Sequence, residues 1–115
     1  METQQALADL LASSPQVEAA TVFGYHDERL GSVGISGSVT AAVRAGRALL
    51  EGGRDVRGEG EATQVHASLA GGDVFVVTKR RGGPAILAVT AERQPPGLLF
   101  HDLKRCLAAI AGEEE

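Results

Sequence analysis

The sequence predicts an α+β fold with the element order α-β-β-α-β-β-β-α. Three observations carry that prediction. Segments near both ends and in the middle of the chain place apolar residues at helical spacing. Five shorter segments are apolar runs or alternate with period two. The last three of these follow one another through short glycine-containing loops, the signature of an antiparallel meander.

The first helix covers residues 3–13. Leu7, Leu10 and Leu11 share one face, with Gln4, Gln5 and Asp9 turned away. Ser13-Ser14-Pro15 ends it, because the residue before a proline is pushed out of the α region. Val17 to Tyr25 is apolar on both faces apart from Glu18 and Thr21, which suits an interior strand. His26-Asp27-Glu28-Arg29 reads as a turn into Leu30–Ser36, a glycine-rich strand suited to an edge.

Ser38 can cap a helix over residues 39–51. Val39, Ala42, Val43, Gly46, Leu49 and Leu50 form its main buried stripe, and Thr40, Arg44, Arg47 and Glu51 its polar one. The third face is small: Ala41, Ala45 and Ala48. Such a face lets another helix approach closely. Gly52-Gly53 is expected to close this helix, and a polar loop follows. Thr63–Leu69 alternates, with Thr63, Val65, Ala67 and Leu69 one way and Gln64, His66 and Ser68 the other. Gly71-Gly72-Asp73 turns into the strand Val74–Lys79, and Lys79 to Gly83 turns into Ala85–Ala91. Pro95-Pro96 opens the last helix, whose apolar face is Leu99, Leu103, Cys106, Leu107 and Ile110.

A chain of 115 residues is one domain, long enough to bury roughly two-thirds of its unfolded surface. Aromatic residues are only 3%, so Val, Leu, Ile and Ala must fill the core. The formal net charge of −4 argues against nucleic-acid binding, which needs a basic footprint, and against adsorption to anionic membranes. Cys106 is the only cysteine, so no intramolecular disulfide forms. No signal peptide and no membrane span are read from the chain, and a soluble, cytoplasmic protein is expected.

Lys79-Arg80-Arg81 invites a phosphate-binding reading. The cations precede Gly82-Gly83, however, and a strand follows, so no helix dipole faces the loop. The stretch is a hairpin turn. Gly31 to Gly37 is spaced GxxGxxG, not GxGxxG, and no Gly-Lys-Ser/Thr follows it. His26, His66 and His101 are scattered, and Cys106 lies five residues from His101, so no metal site is read. Cys106 packs as a small hydrophobe, and Ser36 and Ser38 lack a nucleophile-elbow setting. Neither catalytic nor cofactor-binding residues are assigned, and the chain is read as a non-enzyme. Arg44, Arg47, Arg54 and Arg57, diluted by Glu51, Asp55 and Glu59, read as a solvated face and as the best candidate for polar docking.

The stretches VEAATVFGYHDERLGSVG and PAILAVTAERQPPGLLFHDLKRCLAAI resemble the Roadblock family of dynein light chains and bacterial gliding-motility regulators. In the second stretch the last strand, a short loop and a Gly97-Leu98-Leu99 start to the final helix match the family's pattern. The resemblance covers about residues 5–112 and leaves 113–115 as an acidic tail. One departure is the first hairpin turn, where Asp27-Glu28-Arg29 stands in place of the family's usual Asp-Gly.

The resemblance implies a profilin-like three-layer α/β/α fold with a five-stranded antiparallel sheet in order 2-1-5-4-3. The middle helix would lie on one face and the terminal helices on the other. It implies a homodimer joined through the middle helix (Ala41, Ala45, Ala48) and the third strand (Thr63, Val65, Ala67). It also implies a platform or regulator for a small Ras-like GTPase, with Arg44, Arg47 and Glu51 as expected partner contacts. The alternative is a ligand-sensing or adaptor domain without GTPase contact. A ligand pocket wants convergent polar groups, and the interior strands offer only Thr21, Thr78 and Thr90.

Overall fold

The computed structural model describes residues 2–24, 29–34, 39–57, 64–69, 72–78, 84–90 and 96–111. The elements are α1 (Thr3–Ser13), β1 (Val17–Phe23), β2 (Arg29–Val33), α2 (Val39–Arg57), β3 (Gln64–Leu69), β4 (Gly72–Thr78), β5 (Ala85–Thr90) and α3 (Pro96–Ala111). The expected turn at His26, the cap at Ser38, Thr63, the Lys79–Gly83 turn, Pro95 and the acidic tail lie outside the described residues.

The five strands form one antiparallel sheet in order β2-β1-β5-β4-β3. This is the order the resemblance implies, and it follows from burial. β1 and β5 are apolar on both faces and occupy the interior, paired from Val17 opposite Thr90 to Phe23 opposite Ala85. Alternation then sorts side chains between two layers. On one face, Val22, Phe75, Val77, Ile86 and Ala88 pack with Leu7 and Leu10 of α1 and with Leu99, Leu103 and Leu107 of α3. On the other, Phe23, Val76, Ala85 and Leu87 pack with Val43 and Leu50 of α2. The molecule is thus three-layered, with two helices on one side and one on the other.

α1 ends where Ser14-Pro15 requires it to. The Ser14 amide donates to the Leu10 carbonyl at 2.8 Å, and its hydroxyl donates to Asp102 Oδ2 at 2.6 Å, tying the helix end to α3.

Several boundaries differ from the sequence reading: β1 ends at Phe23 and β2 already begins at Arg29. β2 stops at Val33, because Gly34 adopts φ +72° with its backbone against the Glu18 carbonyl of β1. Asp73, read as a turn residue, is the second residue of β4 and is buried. α2 does not close at Gly52-Gly53 but continues to Arg57. Gly52 does not take the left-handed conformation that ends helices. Each interior glycine costs only ~1 kcal/mol relative to alanine, so neighbouring turns carry the helix through the pair.

Candidate functional site: an exposed helix face beside a sheet edge

α2 packs on the sheet through Val43, Gly46 and Leu50. A Cβ at position 46 would lie 3.0 Å from Phe23 Cζ and 3.2 Å from Leu87 Cδ1, so the missing side chain is what brings helix and sheet together. Away from the sheet, Ala41, Ala45 and Ala48 are all exposed, flanked by exposed Arg44 and Glu51. Continuation of the helix carries Gly52 onto the same line, so the small stripe runs 41, 45, 48, 52. Beside α2, Val65 and Ala67 of β3 are half-buried, and Val65 packs against the Val43–Leu50 cluster. The structure therefore sets α2 beside the outermost strand through its buried face, with its small residues on the face turned away from the sheet.

Arg47 corrects the sequence reading. It was expected on the solvated stripe, yet it is only 9% exposed. The reason is angular: position 47 is four residues from Val43 and three from Leu50, on the face turned to the sheet. Arg47 Nη2 donates to the Gly24 carbonyl at 3.0 Å, and its guanidinium carbon lies 5.4 Å from the Phe23 ring centroid. Of the three expected partner contacts, Arg44 and Glu51 stand in solvent and Arg47 does not.

A polar pair occupies the opposite face of β3 and β4. His66 and Phe75 are cross-strand partners whose rings stack at 4.5 Å, and Phe75 meets Phe100 of α3 edge-on at 5.3 Å. His66 Nε2 lies 2.9 Å from Asp73 Oδ2, and Asp73 is 1% exposed. The Asp73 amide donates to Thr90 Oγ1 at 3.3 Å. Sequence reasoning missed this arrangement because an aspartate after two glycines signals a turn more strongly than a strand. The one available signal was period two: Asp73, Phe75 and Val77 point the same way.

The other candidates resolve locally. Thr21 Oγ1 donates to the Gly31 carbonyl at 3.1 Å and Thr78 Oγ1 to the Pro84 carbonyl at 3.0 Å. With Thr90 held to Asp73, these interior hydroxyls serve the backbone and do not converge on a pocket. Cys106 is buried, and its Sγ donates to the Ala6 carbonyl at 3.6 Å. Burial, and secondarily the charge of Asp9, pushes its thiol up to about 11. Near neutral pH it is therefore a protonated, packed group and a poor nucleophile. His101 is exposed on α3, and among the described residues no group of three or more His, Cys, Asp or Glu could hold a metal. No helix among them is long and apolar enough to cross a membrane.

No protein-family model matches the chain, and no curated protein matches it in sequence. Solved structures do match it in shape. A Roadblock/LC7 domain from Streptomyces avermitilis superposes with a TM-score of 0.80 at 16% identity, over 95% of this chain and 94% of that one. Myxococcus xanthus MglB does so with a TM-score of 0.76 at 15% identity, over 96% and 88%. LokiProfilin1, solved in complex with rabbit actin, gives 0.64 at 12% identity, over 93% of each chain. At such identities the likeness is one of architecture: this chain has the Roadblock/LC7 fold.

Proposed function

We propose that the chain is a non-catalytic dimeric platform or regulator for a small Ras-like GTPase. The observation that carries the dimer is the small exposed stripe Ala41, Ala45, Ala48 lying beside the half-buried Val65 and Ala67 of an edge strand. Two copies placed back to back would bury both stripes and pair the two β3 edges, covering main-chain groups that otherwise face solvent. Arg44 and Glu51, exposed on the same helix, are the contacts assigned to the GTPase. The GTPase itself rests on the family resemblance alone.

A second reading, an adaptor domain without GTPase contact, is favoured by the breadth of the fold, since a profilin bound to actin shares it. One experiment separates the two. The purified protein is titrated with the Ras-like GTPases of its source, each loaded with GDP or a non-hydrolysable GTP analogue. Binding that weakens when Arg44→Glu is introduced supports the first reading. Absence of binding to every GTPase, with a dimer still present, moves the function to the adaptor.

A further inference from the structure

β3 is the outermost strand on its side of the sheet, and β4 fixes which of its residues turn their main chain outward. The Asp73 amide donates to Thr90 Oγ1 at 3.3 Å, and the Asp73 carbonyl accepts from the same hydroxyl at 3.5 Å. The main chain of Asp73 therefore faces β5. Main-chain groups alternate sides along an antiparallel strand, so Gly72, Val74 and Val76 face β3. Their partners there are Leu69, Ala67 and Val65, which leaves the amides and carbonyls of Gln64, His66 and Ser68 turned to the open edge.

His66 is the middle one of those three. Its ring lies parallel to that of Phe75, its partner on β4, with centroids 4.5 Å apart and planes within 3°. That separation is close to the ~4.8 Å between neighbouring strands. One face of the imidazole is thus covered from the β4 side, and the other is turned toward the edge. Asp73 Oδ2, 2.9 Å from Nε2, holds the ring in that attitude, with the side chain still 28% exposed. On the opposite face of the strand, half-buried Val65 and Ala67 flank His66, one larger and one smaller.

We propose that His66 is the residue through which β3 recognises a second copy of this chain, the two strands pairing antiparallel in the register that sets His66 opposite its own mate. The inference rests on the reading of α2 and β3 as the dimer seam and adds which residues meet across it. In this register all three outward positions find partners: Gln64 of each copy lies opposite Ser68 of the other, and His66 opposite His66. Sliding by two residues in either direction loses one of these pairings. On the α2 side, Val65 meets Ala67 of the other copy, large against small. On the other side the stack continues through the two-fold axis at strand spacing, from Phe75 and His66 of one copy to His66 and Phe75 of the next.

The test is disulfide trapping under oxidised glutathione. Gln64→Cys and Ser68→Cys are made in separate chains, both at exposed positions that leave His66 and Asp73 in place. Opposed residues of a hydrogen-bonded pair stand about 5.5 Å apart at Cα, within disulfide reach. Mixing the two variants should give a covalent dimer. Neither should do so alone, because each position then lies about 13 Å from its mate. Cys106 is buried and does not compete. His66→Lys keeps a basic partner for Asp73 but removes the ring and opposes two like charges, so by light scattering it should weaken association roughly tenfold. A dimeric wild type whose mixed variants couple no more than either variant alone overturns the proposal, and so does a His66→Lys protein that associates as tightly as the wild type. A wild type that is monomeric at every concentration overturns the dimer reading itself, and this seam with it.

Discussion

Arg47 illustrates how one side chain can belong to the core and still be charged. Its guanidinium hydrogen-bonds the Gly24 carbonyl and lies over the Phe23 ring, which together offset the cost of removing the charge from water. Truncation to alanine would leave that carbonyl without its donor and open space above the ring. Arg47→Ala should therefore lose about 3 kcal/mol in urea unfolding, from a charged hydrogen bond and a cation–π contact of about 1.5 kcal/mol each. Arg44→Ala, at an exposed position on the same helix, should change stability by less than ~0.5 kcal/mol. Equal losses for the two would show that Arg47 is not the buried anchor. Cys106 gives a second expectation at this scale. Its thiol titrates near 9.0 in the unfolded chain and at about 11 when folded, because burial and Asp9 both disfavour the thiolate. The folded state thus holds the proton more tightly. Its contribution is complete below pH 9 and is lost as pH rises towards 11. The unfolding free energy of the wild type should fall faster with alkaline pH than that of Cys106→Ala, and the two curves should run parallel below pH 8.5 or so.

At the scale of elements, two glycines of α2 separate packing from propensity. Gly46 lies under Phe23 and Leu87, both buried, with Phe23 further held by Arg47. Gly46→Ala gains about 1 kcal/mol of helix propensity but overpacks a rigid contact at a cost of about 1–3 kcal/mol, so it should destabilise. Gly52 has nothing within 4 Å of where a Cβ would sit. Gly52→Ala should therefore raise the stability of the single chain by about 1 kcal/mol. Denaturant midpoints of the two variants moving in opposite directions would confirm the helix–sheet spacing; the same direction for both would contradict it. This contrast also shows what the sequence could reveal. Element order, the interior placement of β1 and β5 and the small stripe on α2 are legible, because periodicity reports which face is buried. The length of α2 is not, since a glycine pair stops a helix only if its backbone turns left-handed, which sequence spacing does not state. Arg47 and Asp73 were misplaced for a related reason. Residue type assigned both to solvent, while the angle around the helix and the alternation along the strand assigned them to the interior. Where charge and periodicity disagreed, periodicity was the better guide.

For the whole molecule, the deciding quantity is how stability depends on its own concentration. If two copies join along Ala41, Ala45, Ala48 and the β3 edge, association contributes only when copies meet, and the thermal midpoint must rise with protein concentration. A glutamate at position 45 would lie near its symmetry mate within a close helix pair, where like charges repel and neither can be solvated fully. In the single chain, the same position is exposed and should accept the substitution at less than ~0.5 kcal/mol. Ala45→Glu should accordingly give a monomer by light scattering, with a midpoint independent of concentration and equal to that of the wild type at high dilution. Two departures would carry different meanings. A wild-type midpoint already flat with concentration denies the dimer outright. A concentration-dependent midpoint that persists in Ala45→Glu keeps the dimer but moves its seam off the small face of α2, and with it the surface on which a GTPase or any other partner would read the pair.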